Sequence, residues 1–143
     1  MLRTIPAILS PDLLKILMEM GHGDELVVAD GNFPAASTAQ RLVRLDGHGV
    51  PEVLEAILKF FPLDTYVESP VTLMAAVEHD EKLTPPIWEL YRKIIKESKE
   101  RFTDFELDER SAFYERAKKA FAVVATGESA LYANIILKKG VVV

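Results

Sequence analysis

The segment LVVADGNFP, residues 26–34, decides the fold class of this chain. Its first part, residues 26–29, is a short apolar run of the kind found in a strand buried on both faces. Turn-forming residues follow at once, so the strand is predicted to end at Ala29 and to lead into a loop. Asp30 therefore stands at the carboxyl end of a buried strand, where open α/β sheets form their ligand crevices.

Helical and strand patterns alternate on both sides of this segment. Ser10 as an N-cap and Pro11 at the first helical position predict a helix that ends at Gly21. Further helices are expected from Val50, from Pro85 and after Asp108 as an N-cap, and strands at residues 41–46, 73–77, 102–107, 121–125 and 131–137. This alternation favours an α/β fold with a largely parallel sheet.

Composition excludes several classes of protein. The chain has 143 residues, 49% of them apolar, which suits a single domain over residues 1–143 with one packed core. Cysteine is absent, which excludes disulfides, a thiolate nucleophile and a cysteine metal site. The net charge is -5 and the basic residues are scattered, which argues against nucleic-acid binding. We expect no membrane span, because no apolar run approaches roughly 18 residues. We also expect no signal sequence and a cytoplasmic location, because the run Ile5 to Leu9 near the N-terminus is short and interrupted by Pro6.

Two polar residues flank the first strand. His22 lies between Gly21 and Gly23, so no neighbouring side chain shields an imidazole that can exchange a proton near neutral pH. The alternative is that His22 only favours the negative end of the preceding helix. Asp30 can orient a histidine or hold hydroxyl groups of a ligand, and its alternative role is an Asx turn with the next backbone groups.

Three further polar residues stand at unusual places. Arg110 falls in the first turn of a helix, where the macrodipole disfavours a cation. The alternative for it is an ion pair with a nearby acid, Glu106, Asp108 or Glu109. Tyr132 and Asn134 share a predicted strand face that is otherwise apolar, so they need hydrogen-bond partners. Those partners belong either to a ligand site or to a satisfied network in the core.

Other signals are weak. Residues 78–81, Glu-His-Asp-Glu, include His79 and are residue types that bind metals, but adjacent side chains rarely converge on one ion. A solvated charged turn is the favoured interpretation. His48, between two glycines, is interpreted as part of a turn that leads into a helix. Glycine-rich nucleotide motifs and the GxSxG motif are absent from the sequence, and we expect neither a metal nor a cofactor.

Several separated blocks of the sequence form a more specific pattern. They are Ile5-Pro6, Leu9-Ser10-Pro11 with Leu13-Leu14, residues 20–25 (MGHGDE), Ala29-Asp30 with Asn32-Phe33-Pro34, Arg110 with residues 113–117 (FYERA), and Ala125-Thr126-Gly127-Glu128 with Tyr132 and Asn134-Ile135. Together these blocks resemble the RbsD/FucU family from end to end. The resemblance is to the L-fucose mutarotase branch rather than the D-ribose pyranase branch, because Arg110 and Phe113-Tyr114 match the former.

The resemblance implies a structure and an activity. The subunit would be a Rossmann-like, three-layer α/β fold in a ring-shaped homo-oligomer, commonly a decamer, with sites for a monosaccharide at subunit contacts. His22 would be the proton donor, Asp30 and Arg110 would bind sugar hydroxyls, and Tyr132 and Asn134 would complete the pocket. The reaction would interconvert the α and β anomers of L-fucose or a related free sugar, which needs proton transfer but no cofactor.

Three other functions stay open from the sequence. One is the pyranose/furanose interconversion of the D-ribose pyranase type, and another is a sugar-binding module without catalysis. The third is glycoside hydrolysis, which needs two carboxylates roughly 5 to 10 Å apart. Only Asp30 is a convincing pocket acid, so the sequence favours this third function least.

Overall fold

A computed structural model of the chain describes residues 1–77 and 84–143. These residues form five helices and six strands in largely alternating order. In chain order they are α1 (Pro11–Glu19), β1 (Glu25–Ala29), α2 (Ala35–Thr38), β2 (Leu42–Leu45), α3 (Val50–Leu58), β3 (Val71–Met74), α4 (Pro86–Glu97), β4 (Glu106–Asp108), α5 (Arg110–Lys119), β5 (Ala122–Thr126) and β6 (Ile135–Lys138).

The strands form a single sheet in the order β2-β5-β1-β6-β3-β4. Strand β6 runs antiparallel to both of its neighbours, β1 and β3. The remaining neighbours pair in parallel. The prediction of a mostly parallel α/β sheet is therefore confirmed.

Helices cover both faces of the sheet, which gives three layers. Alternate residues of β1 point to opposite faces, because side chains alternate along a strand. Leu26 and Val28 pack with buried residues of α1, α3 and α4. Val27 and Ala29 pack with α2 and α5, including Phe113. The apolar run of β1 thus fills two cores, and this burial on both faces explains why it contains no polar residue between Leu26 and Ala29.

The start of α1 matches its sequence signal. The Ser10 side chain accepts a hydrogen bond from the Leu13 backbone N–H at 3.2 Å, and Pro11 occupies the first turn. The helix ends at Glu19, just before the predicted stop at Gly21. The turn that follows carries His22 and includes Gly23 at φ +87°, a backbone conformation that favours glycine.

The last predicted strand is wrong at its beginning. Strand β6 starts at Ile135, and Tyr132 lies in a turn at φ +56°. The reason is that α4 satisfies the carbonyls that a neighbouring strand would otherwise bind. The Trp88 indole N–H donates to the Tyr132 carbonyl at 2.8 Å, and the Tyr91 hydroxyl donates to the Ala133 carbonyl at 2.7 Å.

Smaller shifts occur elsewhere along the chain. Strand β3 is Val71–Met74, so it begins two residues and ends three residues before the predicted strand. Strand β4 is Glu106–Asp108, so it begins four residues after the predicted start at Phe102 and includes Asp108. Asp108 pairs with Met74 in the sheet, so Glu109 and not Asp108 is the N-cap of α5. The short helix α2 lies in the segment that was predicted to be a loop.

A buried residue of β6, Ile136, allows a test of this packing. Ile136 is fully buried between Val27 of β1 and Thr72 of β3. We expect Ile136→Ala to lower the free energy of unfolding by about 2 to 5 kcal/mol, because the cavity it leaves collapses only partly. The measurement is chemical denaturation followed by circular dichroism. Met18→Ala, at a position that is 85% exposed, is the control and should change stability by about 0.5 kcal/mol or less; equal effects would contradict the packing described.

Candidate functional site

A cavity of about 310 Å³ opens at the carboxyl ends of β1 and β3. Four of the sequence-predicted site residues line it: Asp30, Arg110, Tyr132 and Asn134. The other lining residues are Asn32, Phe33, Met74, Val77, Tyr114 and Leu131. The volume suits a small-molecule ligand, and polar groups from separate elements converge on a partly apolar wall.

Asp30 forms the predicted Asx turn and also lines the cavity. Its Oδ1 accepts a hydrogen bond from the Asn32 backbone N–H at 3.0 Å, which closes the Asx turn. Its own backbone N–H donates to Asn134 Oδ1 at 2.7 Å, so the turn is joined to the residue before β6. Burial raises the pKa of the Asp30 carboxyl, and the Glu128 carboxylate adds to the rise, although hydrogen bonds from Asn32 and Phe33 oppose it. The carboxyl is therefore a proton-accepting group at the mouth of a largely buried turn.

Arg110 begins α5 and lies at the cavity wall. Its guanidinium carbon is 5.5 Å from the centroid of the Tyr114 ring, a cation–π contact. The alternative of an ion pair with Glu106, Asp108 or Glu109 is wrong among the described residues. Arg116 takes two of these acids instead, Asp108 at 3.3 Å and Glu106 at 3.5 Å. Arg110 is consequently available to a ligand.

Tyr132 is fixed at both ends. Its carbonyl accepts the indole N–H of Trp88, and its phenolic oxygen accepts the backbone N–H of Val77 at 3.2 Å. The left-handed backbone of Tyr132 is a strained conformation for this residue type, and such strain is found most often at functional sites. Beside it, Phe33 and Tyr114 stack with ring centroids 5.3 Å apart and form an aromatic wall.

His22 lies at the other end of the sheet. The side chain is 44% exposed in the turn before β1, whereas Asp30 follows the end of that strand. A strand of this length measures roughly 16 Å, so one chain does not bring the imidazole to its own cavity. The expectation that the ring is open to solvent is confirmed. The expectation that it shares a pocket with Asp30 does not hold within a single chain.

The neighbour of His22 is an acid that sequence reasoning missed. Asp64 Oδ1 lies 3.0 Å from His22 Nε2, and the Asp64 side chain is only 4% exposed. The Tyr66 ring packs beside the imidazole with centroids 5.2 Å apart. Asp64 directly follows the apolar run Phe60-Phe61-Pro62-Leu63. An acid at the point where an apolar run stops is the signal that indicated Asp30, and the same signal could have indicated Asp64.

The remaining predictions from the sequence concern metals and histidines. His48 lies in a turn before α3, as predicted, with Nδ1 3.2 Å from Glu52 Oε1. The segment Glu78 to Glu81, with His79, lies outside the described residues. Within residues 1–77 and 84–143 no group of three or more acidic or histidine side chains is placed to hold a metal ion. The described part of the chain also contains no helix with the length and apolar character needed to cross a membrane.

Comparison with known proteins identifies the family of this chain. A family model described as the RbsD / FucU transport protein family matches residues 3–142. The chain belongs to this family. It is 55% identical to a protein named fucose mutarotase from Mus musculus, over 97% of the chain and 94% of the relative.

Two solved structures share the fold of this chain. A fucose mutarotase from Streptococcus pneumoniae in complex with L-fucose has a TM-score of 0.95 and 54% identity, covering 99% of this chain and 100% of that chain. Bacillus subtilis RbsD complexed with D-ribose has a TM-score of 0.73 and 22% identity, covering 94% and 95%. At that identity the second structure shows the shared fold alone. The resemblance to the fucose mutarotase branch is confirmed.

The raised pKa of Asp30 gives a test of the site's electrostatics. The folded chain binds the proton of this carboxyl more tightly than the unfolded chain, whose pKa is near 3.8. Wild-type stability should therefore fall, relative to Asp30→Asn, as the pH rises from 3.8 through the folded-state pKa. The amide oxygen can still accept the Asn32 N–H, so the turn is kept.

Denaturation of both proteins between acid and neutral pH measures this difference. We expect Asp30→Asn to be the more stable at neutral pH and the gap to close in acid. Glu55→Gln, an exposed acid in α3, is the matched control and should show little pH-dependent difference. If Asp30→Asn is no more stable than wild type at neutral pH, burying the Asp30 charge has no net cost and the prediction is wrong.

Proposed function

We propose that this chain is an isomerase that interconverts the α and β anomers of L-fucose. The observation that carries this proposal is the cavity beyond β1 and β3, where a carboxyl, a guanidinium, a phenol and an amide converge from separate elements. Sugars present several hydroxyl groups that donate and accept hydrogen bonds, and these four groups supply both kinds of partner. The chain's similarity to fucose mutarotases over nearly its full length supports L-fucose as the sugar.

The chemistry follows from proton transfer alone. One proton moves onto the ring oxygen and the bond from that oxygen to the anomeric carbon breaks, while the anomeric hydroxyl loses its proton and becomes the aldehyde oxygen. Rotation about the neighbouring carbon–carbon bond presents the other face, and the reverse steps close the ring. Positioned acid-base groups contribute about 10² to 10⁴ in rate, which suits a reaction that also proceeds slowly in water.

Roles for the named residues complete the proposal. Asp30 and Arg110 bind sugar hydroxyls, and Tyr132 and Asn134 hold the sugar against the aromatic wall. His22 is the proton donor. Asp30 also acts in catalysis, because a carboxyl with a raised pKa at the cavity exchanges protons more readily near neutral pH.

His22 must then come from a second copy of the chain, since its own cavity lies at the opposite end of the sheet. Exposed apolar residues support a contact between these two ends. Tyr66, beside His22, is 76% exposed, and Leu131, at the cavity, is 66% exposed. Joining the histidine end of one copy to the cavity of the next is a head-to-tail contact, which forms a ring when the rotation between copies closes. A homo-oligomer with sugar sites at subunit contacts, up to the decamer that the family resemblance implies, fits this arrangement.

We also propose that residues 1–143 act as one mutarotase domain in the cytoplasm. The family model spans nearly all of these residues as a single unit. The cysteine-free composition is compatible with a reducing compartment.

Anomer exchange measured by saturation-transfer NMR tests the activity. We expect the protein to accelerate exchange between the anomeric proton signals of L-fucose, and more than those of D-ribose or D-galactose. His22→Ala should reduce the acceleration by about 10²-fold or more, because the proton donor is lost. His48→Ala is the control and should keep the wild-type rate. Exchange at the buffer rate for all three sugars, or a fully active His22→Ala, would refute the proposal.

Mixing two inactive variants tests the shared site. His22→Ala retains the cavity and Asp30→Asn retains the histidine, so a mixed oligomer contains some contacts with both groups intact. Random mixing in equal amounts should restore about one quarter of the wild-type activity. The mixture is prepared by dissociating and reassembling the two purified variants together, and each variant alone, treated in the same way, is the control. If activity does not return although mixed oligomers form, the site is not shared between copies.

A further inference from the structure

The hydrogen bond between His22 and Asp64 defines where the imidazole carries its proton. His22 Nε2 lies 3.0 Å from Asp64 Oδ1, and the same oxygen accepts the Tyr66 backbone N–H at 3.0 Å. An ionised carboxylate only accepts hydrogen bonds, so the proton between the two side chains belongs to Nε2. A neutral imidazole with a proton on Nε2 has an unprotonated Nδ1.

Asp64 is ionised and firmly held. Burial disfavours its charge, but hydrogen bonds from the Tyr66 N–H and from His22 outweigh burial and hold the pKa of the carboxyl below its ordinary value. Its backbone N–H donates to the Lys138 carbonyl at 3.0 Å. Gly140 packs so tightly against this segment that a Cβ there would lie 2.5 Å from the Leu63 carbonyl oxygen. The carboxylate therefore has little freedom to turn away from the imidazole.

The turn that carries His22 is held by the same strand end. The Gly23 backbone N–H donates to the Lys139 carbonyl at 2.8 Å, and the Lys139 N–H donates to the Asp24 carbonyl at 2.8 Å. Both partners of the hydrogen bond are thus attached to residues 138–140, although they are 42 positions apart in the chain. This shared attachment holds the backbones of the His22 turn and of Asp64 next to each other.

We propose that Asp64 is a positioning residue that keeps a proton on His22 Nε2, so that Nδ1 is the ring atom that exchanges a proton with the sugar. The inference rests on the proposed function of His22. Among the described residues Nδ1 has no hydrogen-bond partner, and the imidazole is about half exposed. Protonated Nδ1 gives its proton to the ring oxygen as the bond from that oxygen to the anomeric carbon breaks, and it then takes the proton of the anomeric hydroxyl. Asp64 stabilises the imidazolium that exists before Nδ1 gives up its proton and again after Nδ1 takes up the next one.

Asp64→Asn tests the role in catalysis. The amide oxygen can accept the same two hydrogen bonds, but the negative charge is lost and the amide nitrogen can also donate to an unprotonated Nε2. We expect kcat for L-fucose anomer exchange to fall tenfold or more, up to the about 10² to 10⁴ that acid-base groups contribute. KM should stay within about twofold. Glu68→Gln removes an exposed charge from the same segment and should leave both constants unchanged. An unchanged kcat, or a raised KM with kcat intact, would overturn the proposal, the latter because Asp64 would then bind the sugar itself.

The tautomer is measured independently of activity by long-range ¹H–¹⁵N correlation NMR of the ring nitrogens. The chain has three histidines, so His48→Gln with His79→Gln leaves His22 as the sole signal. We expect neutral His22 to carry its proton on Nε2 in this background and to show both tautomers after Asp64→Asn. A proton on Nδ1, or a mixture of both tautomers while Asp64 is intact, would refute the inference even if the enzyme is active. Absence of anomer exchange in the wild type would instead refute the proposed function and leave the tautomer result standing.

Discussion

The antiparallel strand β6 is the constraint on which the rest of the molecule depends. It lies in the middle of the sheet, with β1 on one side and β3 on the other, and joins two parallel groups of strands. Because β6 runs opposite to β1, it starts at the edge where β1 ends and finishes at the edge where β1 begins. Asn134, just before β6, binds the backbone of Asp30, and Lys138 and Lys139 at its far end bind Asp64 and the turn with His22. One strand therefore supports both the cavity and the turn that carries His22.

Competition for partners determines which charged groups face the cavity. Arg116, on the same helix as Arg110, binds Glu25 at the start of β1 as well as acids of β4. Burial opposes the charge of Arg116, but the hydrogen bonds and Coulombic attraction of Glu25 outweigh burial and raise its pKa. These contacts fasten α5 across the sheet. They also occupy the acids near Arg110, whose cation is left at the cavity despite the unfavourable helix dipole.

Local patterns predicted most of the fold because the signals concerned lie within a few residues of one another. The strand and turn at residues 26–34 and the Ser10 cap are of this kind. The start of β6 was not predictable in this way, since the indole that binds the Tyr132 carbonyl is 44 positions distant. The Asp64 partner of His22 depends on a similar long-range contact. Arg110 differs from these cases. A cation is unfavourable in the first turn of a helix, so the sequence itself indicated that Arg110, and with it α5, has a role at the site.

The separation of His22 from Asp30, in contrast, follows from the sequence once the strand between them is recognised. An extended segment cannot bring residues at its two ends together. The family resemblance supplied sites at subunit contacts, and this spacing supplies a physical reason for them.

If His22 serves the cavity of a neighbouring copy, as proposed, the contact between copies, and not the folded chain, is the unit of catalysis. In that arrangement each copy would supply its imidazole to one neighbour and receive another from the opposite side. Every site of a closed ring would then be complete, whereas an open row would have one incomplete site at each end. Dilution that separates the copies would stop turnover without unfolding the chain, so specific activity would report assembly.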